Sequence, residues 1–246
     1  MAEYQTFVVL GATGGIGSEL CRRLTAGGAK VVIAARDPGR LREMAASLGA
    51  EPVALDATLP EQVEACARRA IDRFGRLDGI ANCVGSLLLK PAHLTSDAEW
   101  ASTIASNLTS AFAAVRAAAK TMLQTGGSVV LISAAAARTG IANHEAIAAA
   151  KAGVIGLTLS AASTYARQGL RINCVAPGLV RTPLTARLLA NEAQAKVFEA
   201  MHPLGRLGEP GDVAAAIAWL LDPAQNWITG QVFAVDGGLS TVRPRT

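Results

Sequence analysis

The stretch Thr6-Phe7-Val8-Val9-Leu10-Gly11-Ala12-Thr13-Gly14-Gly15-Ile16-Gly17 decides the fold. Its first five residues read as a buried strand, and helical periodicity follows from about Ile16 to Ala26. Between the two, glycines let the backbone turn sharply and come close to a pyrophosphate. That group would rest on the free N–H groups of the helix N-terminus. Gly11, Thr13, Gly14, Gly15, Ile16 and Gly17 are therefore expected to bind a nucleotide. Glycine also marks ordinary turns, and the strand–turn–helix setting is what gives this run its meaning.

Outward from this unit, short apolar runs alternate with longer helical stretches. Strands are expected at 30–35, 52–55, 79–84, 128–133, 171–175 and 232–235, and helices at 37–48, 60–74, 97–123 and 144–167. The pattern predicts an α/β protein: a Rossmann-type, doubly wound, seven-stranded parallel sheet in a three-layer α/β/α arrangement. No linker, repeat or charge block divides residues 1–246, so one dinucleotide-binding domain is expected. The Pro- and Gly-punctuated part at about 182–208, with a short helix over 188–201, reads as a substrate lid or a cover for the sheet edge.

Composition narrows the partners. The 246 residues are 51% hydrophobic and 17% charged, with a net charge of +4, too mild and dispersed for a nucleic-acid or membrane surface. Cys21, Cys66, Cys83 and Cys174 form no CxxC pair, so no metal site and no disulfide framework is expected. They read as buried thiols in a reducing compartment, and the N-terminal residues show no signal peptide or spanning helix, so a cytoplasmic location is expected. The chain has just two tyrosines, Tyr4 and Tyr165.

The glycine spacing GxxxGxG resembles that of the short-chain dehydrogenase/reductase family, and an ordered set of motifs along the whole chain agrees. Asp56, with Ala57 beside it, is similar to the family's acid at the adenine amino group. Asn82 and Gly85 match the first and last residues of its NNAG motif, Asn107 its mid-helix catalytic asparagine, and Lys151 the lysine of its YxxxK motif. The segment from Asn173 through Pro177, Gly178 and Val180 to Thr182 resembles the part that holds the nicotinamide carboxamide, and Val235-Asp236-Gly237-Gly238 its last strand. The resemblance implies a nicotinamide cofactor and, among family members, is closest to 3-oxoacyl-carrier-protein reductases. An acid at the end of the second strand would bond the ribose hydroxyls, whereas an arginine would pair with a 2′-phosphate. Ala35 stands at the acid's place and Arg36 follows, which favours NADP; Asp37, one position late, leaves NAD possible.

The catalytic half departs from the family, whose Asn–Ser–Tyr–Lys set uses the tyrosine as proton donor and the serine to polarise the carbonyl. Ile147 stands where the tyrosine belongs and Ala134 where the serine belongs. Ser133 is one residue early, so it substitutes only if the strand end bulges or shifts. Neither tyrosine can rescue the site: Tyr4 precedes the first strand, and Tyr165 is 14 residues past Lys151. At the usual helical rise that is about 21 Å away. Losing a general acid costs ~10²–10⁴ in rate, or roughly 3–5.5 kcal/mol of barrier.

His144 lies seven residues before Lys151 and shares its face if the helix reaches that far; it is either a replacement donor or an ordinary loop histidine. Lys151 itself, or water held by Asn107, is a further proton source. His93 and His202 read as capping or surface residues, Trp100, Trp219 and Trp227 as packing, and Arg40 and Arg42 as a solvated face.

Three functions follow. The first is an NADP(H)-dependent oxidoreductase acting on a small-molecule ketone or secondary alcohol with a non-standard donor. The second is a nucleotide-binding pseudoenzyme, a structural or regulatory subunit beside an active relative. The third is a lyase or isomerase on the same scaffold. By family habit the assembly is a homotetramer, or a hetero-oligomer with an active relative.

Overall fold

In a computed structural model that describes residues 4–243, the chain alternates strand and helix almost throughout. The order is β1 (Thr6–Leu10), α1 (Gly15–Ala26), β2 (Lys30–Ala35), α2 (Pro38–Leu48), β3 (Glu51–Ala54), α3 (Pro60–Phe74) and β4 (Gly79–Asn82). After it come α4 (Asp97–Ile104), α5 (Ser110–Met122), β5 (Gly127–Ile132), α6 (Glu145–Tyr165) and β6 (Leu170–Pro177). The chain closes with α7 (Glu192–Ala200), α8 (Pro210–Leu221) and β7 (Val232–Val235).

The seven strands form one parallel sheet in the order β3-β2-β1-β4-β5-β6-β7. Order reverses between β1 and β4, and there the connecting helices part to opposite faces and open a crevice at the strand C-termini. Side chains of β1 explain why its sequence is apolar without alternation. Val8 and Leu10 enter the core packed by α3, α5 and α6, while Phe7 and Val9 enter the core packed by α1, α2 and α8.

Most expected elements stand where the sequence places them; the exceptions have local causes. The helix expected over 97–123 is interrupted by a π-helical turn at Ala105–Thr109. Asn107 Nδ2 donates to Thr103 O at 2.9 Å and takes up that carbonyl, and Ser110 N reaches back five residues to Ala105 O. β4 ends at Asn82 rather than at 84, because the Asn82 side chain turns onto Val84 N and Ser110 Oγ. β6 runs on to Pro177, paired with β7, and the helix expected over 188–201 is shortened to α7 with Asn191 as its cap.

Candidate active site

At the glycine turn, Gly11 has φ +74°, and a Cβ there would lie 2.8 Å from the Cys83 carbonyl carbon. A Cβ on Gly17 would collide with Gly11 O, and one on Gly15 would lie 2.7 Å from Thr182 Cγ2. Close packing of strand, turn and helix thus requires hydrogen at these positions. Gly14 begins α1 without a side-chain cap, and its first turn carries no acid. The leading amides, Gly15 to Gly17, belong to the first turn of a helix, where N–H groups lack intrahelical partners and favour an anion. Ile16 anchors the turn against the α1-side core.

After β3, Asp56 Oδ1 accepts from Thr58 N at 2.9 Å and from Thr58 Oγ1 at 2.8 Å. These bonds, with a smaller contribution from the Arg36 charge, hold its carboxyl below the ordinary aspartate range. Arg36 is exposed at the end of β2, near enough to be felt by Asp56, while Ala57 is buried. Asp37 caps α2 through Oδ1, which accepts from Gly39 N and Arg40 N. Arg40 is not part of a merely solvated face, because its Nη2 donates to Thr13 O in the glycine turn at 2.9 Å.

At the strand ends between β4 and β5, Asn107 and Lys151 come together. A Cβ on Gly85 would lie 3.0 Å from Asn107 Oδ1 and 3.5 Å from Lys151 Nζ, so this glycine keeps the space between them open. Asn107 is nearly inaccessible; its Nδ2 donates to Ser86 Oγ at 2.9 Å and its Oδ1 accepts from Ser86 N at 3.2 Å. Ser86 is a site residue that no motif singled out. Lys151 Nζ donates to Ile132 O at 2.8 Å, and burial pushes its pKa down to about 8. Ile147 is buried one turn earlier on α6.

Ser133 does not serve as the oxygen-binding group expected of it. β5 does not bulge: Ser133 N continues the ladder to Val175 O at 2.8 Å, and its buried hydroxyl donates its one proton to Lys151 O at 2.8 Å. It therefore braces α6 against β5. His144 lies one residue ahead of α6, as its cap, and its Nδ1 bonds Ala142 O at 2.7 Å. A carbonyl can only accept, so Nδ1 carries hydrogen and Nε2 is the nitrogen left for chemistry. Tyr4 sits at the opposite end of the sheet, bonded to Phe74 O, and Tyr165 ends α6.

Pro177 ends β6, and Gly178 to Thr182 lead from it across the crevice. Val180 is buried and bridges Gly208; Thr182 is pinned by Thr185 Oγ1, which accepts from Thr182 N at 3.0 Å. His202 is not a surface residue: it is 3% exposed beneath this segment. Trp227, expected in packing, is 97% exposed, and Trp219 packs edge-on against Phe233 while staying 43% exposed.

A glycine turn, a neighbouring asparagine and lysine at the strand ends, and a seven-stranded 3-2-1-4-5-6-7 sheet define a Rossmann-type oxidoreductase. The chain belongs to the short-chain dehydrogenase/reductase family: the family model described as Enoyl-(Acyl carrier protein) reductase matches residues 11–240. It is 40% identical over 243 residues to cis-4-hydroxycyclohexanecarboxylate dehydrogenase of Sinomonas cyclohexanicum, spanning 96% of each chain. To the 3-oxoacyl-[acyl-carrier-protein] reductase of Vibrio cholerae it is 34% identical over 244 residues, spanning 96% of this chain and 98% of the relative. A relative from Xanthobacter autotrophicus described as inactive 2-(S)-hydroxypropyl-CoM dehydrogenase 2 is 34% identical over 230 residues, 91% of this chain and 100% of its own. Among solved structures, an actinorhodin polyketide ketoreductase with NADPH superposes with a TM-score of 0.92 at 29% identity, covering 98% of this chain and 100% of that one.

Proposed function

We propose that this protein is an NADP(H)-dependent oxidoreductase that interconverts a small-molecule ketone and secondary alcohol, using a proton donor other than the family's tyrosine. The observation that carries the reading is the gathering of Asn107 and Lys151 around the space that Gly85 leaves open. The uncapped start of α1 and the glycines that admit no Cβ fit the pyrophosphate of a dinucleotide. Asp56 would hold the adenine amino group and Lys151 the ribose, with Pro177, Gly178, Val180 and Thr182 beside the carboxamide. When bound, the nicotinamide supplies or accepts the hydride.

The solved ketoreductase relative with NADPH supports the cofactor class. Arg36 and Arg40 support the phosphorylated form, and Asp37 Oδ1 is engaged in capping α2. Replacing both arginines by alanine is expected to weaken NADPH binding by about 10- to 100-fold, the effect of losing two exposed charge contacts to a phosphate, while NADH binding stays level. Fluorescence titration with each cofactor reads this out; equal losses for both would remove the arginines from cofactor choice.

His144 is the donor this reading assigns, through Nε2, with Asn107 and Lys151 ordering the oxygen's surroundings. The half-buried ring can regain its proton from water. His144→Ala is expected to lower turnover by ~10²–10⁴ with cofactor affinity retained. Unchanged turnover would return the role to Lys151 or to water on Asn107.

A second reading, a nucleotide-binding pseudoenzyme serving as a subunit beside an active relative, is favoured by Ile147, by Ala134 and by the tied hydroxyl of Ser133. The relative described as inactive is consistent with it. One experiment separates the two: a panel of ketones and secondary alcohols on the pure protein, with NADP(H) and NAD(H) in parallel. Cofactor-dependent conversion establishes the first; tight NADPH binding without conversion establishes the second.

We place the protein in the reducing cytoplasm, in keeping with four unpaired cysteines, and as a homotetramer or a hetero-oligomer with an active relative. Support for assembly comes from α6, whose stretch is apolar enough to span a membrane by length and composition yet packs as a core helix with only part of its surface covered. Leu159 on α6 and Phe112 on α5 are exposed, at 53% and 46%.

A further inference from the structure

A buried imidazole joins α7 to the crevice-crossing segment 178–182, and no step above uses it. His202 Nδ1 lies 2.7 Å from Phe198 O, and its Nε2 accepts from Leu179 N at 3.1 Å. A carbonyl oxygen only accepts and a backbone amide only donates. Together the two partners admit one state of the ring, the neutral one with its proton on Nδ1. Ring and segment are in close contact, since a Cβ on Gly178 would lie 2.7 Å from Nε2.

The segment has two edges. On one, Gly208 holds it through Gly208 N to Leu179 O at 2.9 Å and Arg181 N to Gly208 O at 2.8 Å. On the other, His202 supplies the side-chain bond to Leu179 N. Beyond the segment, Thr182 and Pro183 press on Gly15 of the glycine turn. Residues 183–201 bury only Thr185 and Ala195, so few apolar contacts hold this stretch down.

We infer that His202 is a positioning residue whose neutral ring latches α7 to the 178–182 segment and so keeps Thr182 against the glycine turn. The latch stands on the fold and is independent of the reaction proposed above.

Charged groups near the ring are already engaged among the described residues. Asp236 of β7 accepts from Gly238 N at 2.9 Å and from Ser240 N at 3.0 Å, and is felt by Arg138. Glu199 of α7 pairs with Arg181 at 2.6 Å, Glu209 lies 3.6 Å from Arg181, and Arg206 pairs with Asp212 at 2.7 Å. Protonating Nε2 would set its N–H against the N–H of Leu179, with no carboxylate free to accept it. Acid therefore opens the latch.

The test compares wild type, His202→Gln and His202→Phe as full-length proteins. Glutamine keeps one donor and one acceptor but does not titrate, whereas phenylalanine keeps the bulk and loses both. Hydrogen exchange of residues 183–201 is measured at pH 7.5 and 5.5, corrected for the intrinsic rate. At pH 7.5 the phenylalanine variant should exchange this stretch about tenfold faster, as loss of a buried hydrogen bond implies, with the sheet unchanged. The glutamine variant should match wild type at pH 7.5 and, unlike wild type, keep its protection at pH 5.5. Wild-type protection in the phenylalanine variant, or equal acid loss in wild type and the glutamine variant, overturns the inference. If the phenylalanine variant does not fold, the pH comparison of the other two decides alone. Binding of NADP⁺, titrated on the same samples, should weaken in parallel. Absence of NADP⁺ binding in all of them would strike the proposed function and leave the exchange result standing.

Discussion

Replacing Ile147 by tyrosine together with Ala134 by serine is expected to raise ketone reduction by ~10²–10⁴, the usual contribution of a positioned general acid. Ile147 lies one turn before Lys151 and is 4% exposed, so a phenol there would stand beside a buried ammonium that favours its ionised form. Ala134 follows the end of β5 with φ −158° and ψ 156°, an extended backbone that serine adopts freely. Its hydroxyl would take over the oxygen contact that Ser133 cannot make, because the Ser133 proton goes to Lys151 O. The larger ring costs about 1–3 kcal/mol of packing strain, which a fold of this size tolerates. Initial rates with NADPH on a ketone panel, before and after the two changes, measure the gain. A folded, NADPH-binding double variant that is no faster would mean that more of the family site is missing than these two side chains.

Lys151→Met is expected to make the protein more stable and less active at once. The lysine's folded pKa of about 8 lies below its ordinary 10.5 because burial disfavours the ammonium. Between those two values the unfolded chain binds more protons than the folded one, so stability rises with pH across that window. Below pH 8 the protein carries the whole penalty of the buried charge, roughly 3 kcal/mol from the size of the shift. Methionine removes that penalty but leaves Ile132 O without the Lys151 bond, a loss of about 1–2 kcal/mol. The net at pH 7 is a gain of about 1–2 kcal/mol, or roughly 2–6 °C in Tm. Near pH 10.5 the gain disappears, since the wild-type lysine is then neutral inside. Turnover should fall by at least ~10² for want of the group that orders the reacting oxygen. Thermal melts at pH 7 and pH 10 check the sign; a variant less stable at pH 7 would show that the ammonium is not paying a burial cost.

Much of the molecule is legible in its sequence, and the reason is geometric. The glycine turn, the seven strands and the separation of Asn107 from Lys151 each follow from local periodicity or from a residue that only one backbone geometry admits. The helix that would run through 97–123 is misread because a π turn depends on one side chain, Asn107, taking a carbonyl that the backbone would otherwise use. The hydrogen-bond partners of Asp37 and Arg40 are not legible in the sequence for a related reason. Which way a short acid or a long guanidinium turns depends on nearby amides and carbonyls, here the first turn of α2 and the glycine turn.

By itself the sequence determined the family, the doubly wound sheet, the place of the glycine turn and the absence of a tyrosine four residues before Lys151. That last point needs only a count, since neither Tyr4 nor Tyr165 stands on the right turn of α6. Only the tertiary structure decided how the remaining polar groups are occupied. Ser133 turns onto a helix carbonyl, Asp37 onto helix amides, and His202 between α7 and the crevice-crossing segment. Each is a hydrogen bond to backbone distant in sequence or set by a cap, and such partners are chosen by packing rather than by residue type.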